Sequence, residues 1–220
     1  MAGRARASWR TSQFRFRRGS LWYARKNDWK VNLGNLSGPK AAFASWISLI
    51  WRVMRSETAA IRAAASSDSS AVAAIYNHYI AETVITFEEK PIDADEIARR
   101  IEDVRSASLP WLVAEENGQV VGYAHAAPWK TRSAYRFSVE VTVYVAPGNV
   151  GHGIGSMLYS HLFSILQTLG IHAVIGGIAL PNEPSVALHE KFGLEKVAHF
   201  QQVGFKFNRW VDVGYWERIL

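Results

Sequence analysis

The stretch "VYVAPGNVGHGIGSMLY", residues 143–159, joins a strand-like pattern to a helix-like pattern through a glycine-rich loop. Gly151, Gly153 and Gly155 stand at alternate positions, where the missing side chains leave the backbone accessible. The amides of a helix N-terminus lack partners within the helix and point toward the solvent, so an anion can bind them. The stretch therefore predicts a phosphate-binding loop between a strand and a helix.

Two common nucleotide-binding motifs do not fit this loop. The Walker A motif ends in Gly-Lys-Ser/Thr, whereas this chain has Gly155-Ser156 with no intervening lysine. The dinucleotide fingerprint has the spacing G-x-G-x-x-G, whereas the glycines here follow G-x-G-x-G. The predicted ligand is therefore a phosphate compound other than those that these two motifs recognise.

The patterns around the loop predict one α/β domain. A first helix, with Ser67 or Asp68 as its cap, carries apolar residues at helical spacing, and Asp93 with Glu96 resembles the capping box of a second helix. Asn117-Gly118 predicts a hairpin turn. The whole order is β-α-α-β-β-β-α-β-α-β-β, which predicts a central mixed sheet of about seven strands flanked by four helices.

The segment "SVEVTVYV", residues 138–145, alternates strictly. Its valines share one face of the predicted strand, and Glu140 shares the other face with Thr142 and Tyr144. An acidic side chain on an interior strand requires a partner or a function. Glu140 is therefore a candidate functional residue.

Composition excludes several classes of chemistry. The chain has 220 residues, 49% of them hydrophobic, and no cysteine, so disulfides, thiolate metal sites and a cysteine nucleophile are excluded. The net charge of +6 is uneven: residues 1–53 carry +10 and the remainder carries −4. We therefore expect no nucleic-acid partner for the domain. The histidines other than His189 lack the spacing of metal ligands, and we predict no metal site.

The sequence predicts a basic extension over residues 1–53 and a domain over residues 54–220. Three interpretations of the extension stay open: a transit peptide, a weakly ordered tail that adheres to membrane or nucleic acid, or upstream sequence before a start at Met54. The third is favoured because periodic structure begins directly after Met54. The apolar run "AAFASWISLIW", residues 41–51, is shorter than the ~20 residues that span a bilayer.

Several motifs resemble those of the GNAT superfamily of N-acetyltransferases. The loop after "VYVAP" and the segment "NEPSVALHEKFGL", residues 182–194, match its two cofactor motifs. With "TFEEKP", "PWKTRSAY" and "GFKFNRWVDVGYW", the resemblance covers about residues 59–219 and is closest to the phosphinothricin acetyltransferase branch. It implies transfer of acetyl from acetyl-CoA to the α-amine of a small acidic amino-acid analogue. It also implies a cytoplasmic homodimer and a role in herbicide resistance.

Two alternatives stay open beside this function. One is acetylation of methionine sulfoximine or another small amine, since relatives in the branch differ in substrate. The other is a non-catalytic acyl-CoA sensor, against which the presence of Glu140 and His189 argues.

The resemblance implies roles for three catalytic residues. Glu140 matches the general base that deprotonates the amine, and His189 matches the acid that protonates the departing thiolate. Tyr159 matches a tyrosine near the thioester, although its spacing with Phe163 and Leu166 equally predicts a packing stripe.

The resemblance also assigns binding residues. Those for coenzyme A are Val143, Val145, Gly151, His152, Gly153, Ile154, Gly155, Ser156, Asn182 and Ser185. Those for the acidic substrate are Phe87, Lys130, Arg132 and Tyr135. Val150 stands where the family has Gln or Arg, and protonated His152 is a candidate replacement for the lost contact. Affinity for acetyl-CoA would then weaken from about pH 5.5 to about pH 8.

Overall fold

A computed structural model of the chain describes residues 59–220. Its helices are α1 (Ser69–Glu82), α2 (Ala94–Ser106), α3 (Ile154–Thr168) and α4 (Glu183–Lys191). Its strands are β1 (Ala60–Ala63), β2 (Trp111–Glu116), β3 (Gln119–Pro128), β4 (Ser138–Val145), β5 (Ala173–Leu180), β6 (Glu195–Lys206) and β7 (Arg209–Ile219). The predicted extension over residues 1–53, including the apolar run, lies outside the described residues.

The seven strands form one mixed sheet in the order β1-β2-β3-β4-β5-β7-β6. All neighbouring pairs are antiparallel except β4 and β5, which are parallel and connected through α3. The predicted fold class and order of elements are confirmed. Among the described residues no helix is long and apolar enough to cross a membrane.

The two faces of the sheet bury separate cores, because side chains alternate along each strand. Helix α3 packs on one face, where Leu158, Leu162 and Leu166 contact Val139 and Val141 within the same core. Helices α1 and α2 pack on the opposite face, with an apolar core that includes Val72, Ile80, Ile97, Ile101, Trp111, Val113 and Tyr123. Glu140 belongs to this second face of β4, opposite the valines, as its alternation predicts.

Turns and caps follow the sequence signals with one exception. Asn117 and Gly118 both have positive φ, which suits a tight hairpin turn, and the Asp93 carboxylate accepts the amide N–H of Glu96 at 2.8 Å. The predicted side-chain cap of α1 is wrong. The Asp68 carboxylate instead accepts from Arg62 at 2.7 Å and from the Ala65 amide at 2.8 Å, because the arginine attracts it more strongly than the helix amides.

The two central strands separate in the middle of the sheet. Pairing between β4 and β5 covers only residues 138–140 with residues 173–175. Beyond Glu140, the edge of β4 that faces β5 has no strand partner among the described residues, while the other edge stays paired with β3 as far as Val145. Glu140 therefore lies at the apex of a fork, and the fork opens toward the glycine loop.

Candidate active site

The fork opens into two adjoining cavities. A groove of about 610 Å³ runs from the fork to the glycine loop, the first turn of α3 and the length of α4. A smaller cavity of about 270 Å³ holds Glu140 and His189. Val143, Asn182 and Ser185 line both spaces. A long ligand in the groove could therefore present its end to the smaller cavity.

The glycine loop presents the N-terminus of α3 to the groove. Gly151 and Gly153 have φ values of 86° and 84°, in the left-handed region that glycine adopts without steric cost. Gly153 is the N-cap residue and supplies no side-chain cap, so the first amides of α3 have no partner within the helix. The predicted phosphate-binding geometry is present, because these amides and the positive end of the helix dipole attract an anion.

Gly155 has a packing role as well as a place in the groove. A Cβ atom there would lie 3.2 Å from Leu188 of α4, so its absence lets the two helices approach closely. Ile154 and Ser156, which also line the groove, complete the first turn of α3.

Lys191 supplies a positive charge that the sequence analysis missed. It lines the groove, and its Nζ atom donates to Ser156 Oγ at 2.9 Å beside the first turn of α3. Val150 also lines the groove, whereas the exposed His152 does not. Lys191 was overlooked because a cation in the last turn of a helix is usually explained by the helix dipole.

Glu140 is half-buried in the smaller cavity. Burial raises the pKa of its carboxyl group, and the positive charge of Lys130 partly opposes this rise. A raised pKa makes the carboxylate a stronger base than a free glutamate. The side chain is thus suited to accept a proton from a ligand in the cavity.

His189 and Tyr159 form a buried pair. The Nδ1 atom of His189 donates to the Ser185 carbonyl oxygen at 2.7 Å, since a carbonyl can only accept. The Nε2 atom lies 3.1 Å from the Tyr159 hydroxyl group, which donates to it when the imidazole is neutral. Burial lowers the pKa of His189, an effect that the Ser185 carbonyl partly offsets. The neutral imidazole is therefore favoured in the free protein.

Tyr159 has the packing that its helical stripe predicts. It is fully buried and packs against Phe163 and Phe192, as the helical stripe predicts, and burial raises the pKa of its hydroxyl group. It also contacts His189. Its catalytic role stays a prediction.

Two glycines of β5 make room for the two candidate catalytic side chains. A Cβ atom on Gly176 would overlap the His189 ring, and one on Gly177 would lie 3.1 Å from Glu140 Oε1. Neither glycine is among the site residues predicted from the sequence. Adjacent glycines within a strand mark a close approach of other atoms, and this signal could have revealed the site.

The predicted substrate-binding residues do not all line one cavity. Phe87 lines the smaller cavity beside Thr86. Lys130, Arg132 and Tyr135 line a different cavity of about 550 Å³, and of these only Lys130 is close enough to affect the pKa of Glu140. The assignment of Arg132 and Tyr135 to the acidic substrate stays a prediction.

A helix N-terminus that faces a forked central strand pair, with a buried carboxylate at the apex, is the arrangement expected of an acyl-CoA-dependent acyltransferase. The sequence matches the acetyltransferase (GNAT) domain family over residues 61–214, and the chain belongs to this family.

Similar proteins agree with this membership. The chain is 42% identical over 158 residues to a phosphinothricin N-acetyltransferase of Streptomyces viridochromogenes, a match that covers 72% of this chain and 86% of the relative. It is 36% identical over 155 residues to an L-methionine sulfoximine/L-methionine sulfone acetyltransferase of Salmonella typhimurium, covering 70% and 91%. A phosphinothricin acetyltransferase from Sinorhizobium meliloti, solved with acetyl-CoA, superposes with a TM-score of 0.72 at 36% identity, covering 74% and 89%. The protein is thus an acyltransferase with acetyl-CoA as its co-substrate.

Proposed function

We propose that the protein transfers the acetyl group of acetyl-CoA to the α-amine of a small acidic amino-acid analogue of the phosphinothricin type. The observation that carries this proposal is the placement of Glu140 and His189 on the walls of one small cavity that adjoins the groove. Because the chain has no cysteine, an acyl-thioenzyme is excluded, and we propose that the amine attacks the thioester directly.

The groove residues hold acetyl-CoA. The free amides of the first turn of α3 and the Lys191 ammonium bind its phosphates, and Asn182 hydrogen-bonds its pantetheine arm beside Val143 and Val145. The bound co-substrate supplies an activated acetyl group. The unpaired edge of β4 beyond Glu140 offers backbone amides that polarise the thioester carbonyl.

Glu140 acts as the general base. An α-ammonium group in the cavity gives a proton to the carboxylate, directly or through one water molecule, and the free amine then attacks the thioester carbon. A C–N bond forms as the C–S bond breaks, the sulfur leaves as a thiolate, and the nitrogen releases its second proton, which passes to Nε2 of His189.

The His189–Tyr159 pair returns a proton to the sulfur. Nδ1 of His189 is committed to the Ser185 carbonyl oxygen, so Nε2 is the nitrogen that exchanges protons. Tyr159 fixes the position of Nε2. The His189 ring must take up a proton before Nε2 can donate one, and its lowered pKa makes the cation a strong acid once formed.

Release of free thiol from acetyl-CoA tests the proposal. The amines are phosphinothricin, methionine sulfoximine and ordinary amino acids, each assayed with wild-type protein and with Glu140→Gln. We expect turnover that is fastest with phosphinothricin and is slower by roughly 100-fold or more in the variant. Binding of acetyl-CoA without turnover of any amine would instead indicate the sensor function.

One observation favours the second candidate substrate, methionine sulfoximine or a related amine of lower acidity. No lysine or arginine lines the 270 Å³ cavity among the described residues, so an added acidic group there would have no cation in direct contact and would feel only the charge of Lys130 from the neighbouring cavity. The similarity to the Salmonella typhimurium enzyme supports the same alternative. Faster turnover of methionine sulfoximine than of phosphinothricin in the panel would establish it.

We also propose that the protein is a homodimer in the cytoplasm, as the family resemblance implies. The edge strand β6, the β6–β7 turn and the start of β7 expose large apolar side chains, among them Phe205, Phe207 and Trp210, each at least half exposed. Such a surface on a long edge strand requires a cover, and a second copy of the chain would provide it. Sedimentation velocity measures this state directly.

A further inference from the structure

The loop between α1 and α2, residues 83–93, forms part of the wall of the small cavity. It contains no helix or strand, yet Ile85, Thr86 and Phe87 all line the cavity that holds Glu140. A segment without its own regular hydrogen bonds depends on contacts from outside for its position. The shape of the amine pocket therefore depends on what fixes this loop.

Lys206, near the end of β6, contacts the loop from the C-terminal hairpin. The side chain is only 2% exposed, and its Nζ atom donates to the Thr86 carbonyl oxygen at 2.8 Å. Burial lowers the pKa of Lys206, against the raising effect of Glu89 and Glu88. An ammonium is costly to bury, so a lysine in this position requires a compensating function.

A second contact lies beside the first. The Phe87 ring packs against Gly204 so closely that a Cβ atom on this glycine would overlap the ring. Gly204 and Lys206 are two residues apart and face the same side of β6. The hairpin thus holds two consecutive loop residues, Thr86 by a hydrogen bond and Phe87 by packing.

The opposite side of the loop is fixed by α1 and α2. The hydroxyl groups of Tyr76 and Thr86 lie 2.7 Å apart, and Arg100 forms an ion pair with Glu88 at 2.8 Å. Lys206 therefore adds a hydrogen bond from the hairpin to the side of the loop that the helices do not hold, and without it the packing of Phe87 on Gly204 would be the remaining one of these two hairpin contacts.

We propose that Lys206 is a positioning residue for the amine pocket, which holds Thr86 and Phe87 against the cavity without touching the reacting atoms. This inference rests on the proposed function, since it assumes that the amine binds in the 270 Å³ cavity. Acetyl-CoA is proposed to bind in the groove, which Ile85 of the loop also lines but Thr86, Phe87 and Lys206 do not.

The test compares Lys206→Met with wild type, with Lys206→Arg as the conservative variant and Lys196→Met as a matched control. Lys196 is an exposed lysine on the same strand. We expect Lys206→Met to raise KM for the amine about tenfold, the order expected for loss of one hydrogen bond to a charged group. The kcat value and the acetyl-CoA affinity by calorimetry should stay near wild type. The amine KM of Lys206→Arg should lie much closer to the wild-type value than that of Lys206→Met. Lys196→Met should leave KM, kcat and the acetyl-CoA affinity unchanged.

Amide hydrogen exchange gives a readout that does not depend on turnover. Faster exchange in Lys206→Met should be confined to residues 83–93. Unchanged amine KM and unchanged loop exchange would overturn the proposal, as would faster exchange spread over the whole domain. If Lys206→Met does not fold, Gly204→Ala serves instead, because displacing the Phe87 ring should raise the amine KM in the same way. An inactive wild type would contradict the proposed function, while the exchange experiment would still decide the role of Lys206.

Discussion

At the scale of single residues, the surroundings of Glu140 set the pH dependence of the reaction. Only the ionised carboxylate can accept a proton, and burial raises its pKa, so the acidic limb of kcat/KM should lie at higher pH than for a free glutamate. Glu140→Gln should lower kcat by roughly 100-fold or more, the usual contribution of a general base, and should abolish this limb.

A variant of Lys130 tests more specifically whether Glu140 is the general base. Its charge lowers the pKa of Glu140, so Lys130→Met should move the acidic limb of kcat/KM to still higher pH. The measurement is the pH profile of both variants with one amine. A limb that persists in Glu140→Gln would mean that another group is the base.

A second test on single residues asks whether Lys191 or His152 binds the phosphates of acetyl-CoA. Lys191 lies beside the first turn of α3, whereas the His152 side chain is exposed and outside the groove lining. We expect Lys191→Met to weaken acetyl-CoA binding about tenfold and to reduce its salt dependence. His152→Ala should bind normally at pH 8.

The alternative drawn from the sequence makes an opposite prediction. If protonated His152 holds the phosphates, wild-type affinity should fall with rising pH and His152→Ala should lose this dependence. Calorimetry at two pH values with the two variants separates the residues. Normal binding by Lys191→Met would exclude the lysine.

At the scale of elements, Asn182 at the start of α4 caps the helix and is also proposed to bind acetyl-CoA. Its side-chain oxygen accepts from the Ser185 amide at 3.3 Å as the N-cap, and the residue also lines both cavities. Asn182→Ala should cost about 1 kcal/mol of unfolding free energy and should weaken acetyl-CoA binding. Asn182→Ser keeps a capping oxygen but loses the amide donor, so it should unfold like wild type and still bind weakly. Normal acetyl-CoA binding by Asn182→Ser would show that Asn182 acts only as a helix cap.

The order of elements could be predicted from sequence because each rests on a local pattern. Residues 138–145 alternate, Asn117-Gly118 forms a tight turn, and the apolar stripes of the helices recur every three or four residues. The fork between β4 and β5 could not be predicted this way. It is an absence of pairing between strands that α3 separates in the chain, and no local pattern records such a gap.

At the scale of the whole molecule, the site joins parts that lie far apart in sequence. Thr86, Glu140, Gly177 and His189 line or bound one cavity although they span about half of the chain. The resemblance named Glu140 and His189 because their motifs are contiguous. Lys206 was missed because its role exists only in a contact between distant segments, whereas Gly176 belongs to a pair of adjacent strand glycines that the sequence does record. Arg132 and Tyr135 were assigned through a motif, but their loop lines another cavity in this chain.

The predicted boundary at Met54 separates the basic extension from the domain. Every element that builds the sheet, the groove and the small cavity lies within residues 59–220. A protein that begins at Met54 should therefore match the full chain in kcat/KM and in unfolding temperature. Loss of either property in the shorter protein would show that residues 1–53 contribute to the enzyme.

Retention on heparin and on anionic vesicles, measured against salt, compares the same two proteins for binding to anionic surfaces. The +10 charge of residues 1–53 should make only the full chain bind at low salt and elute as salt rises, since screening weakens exposed charges.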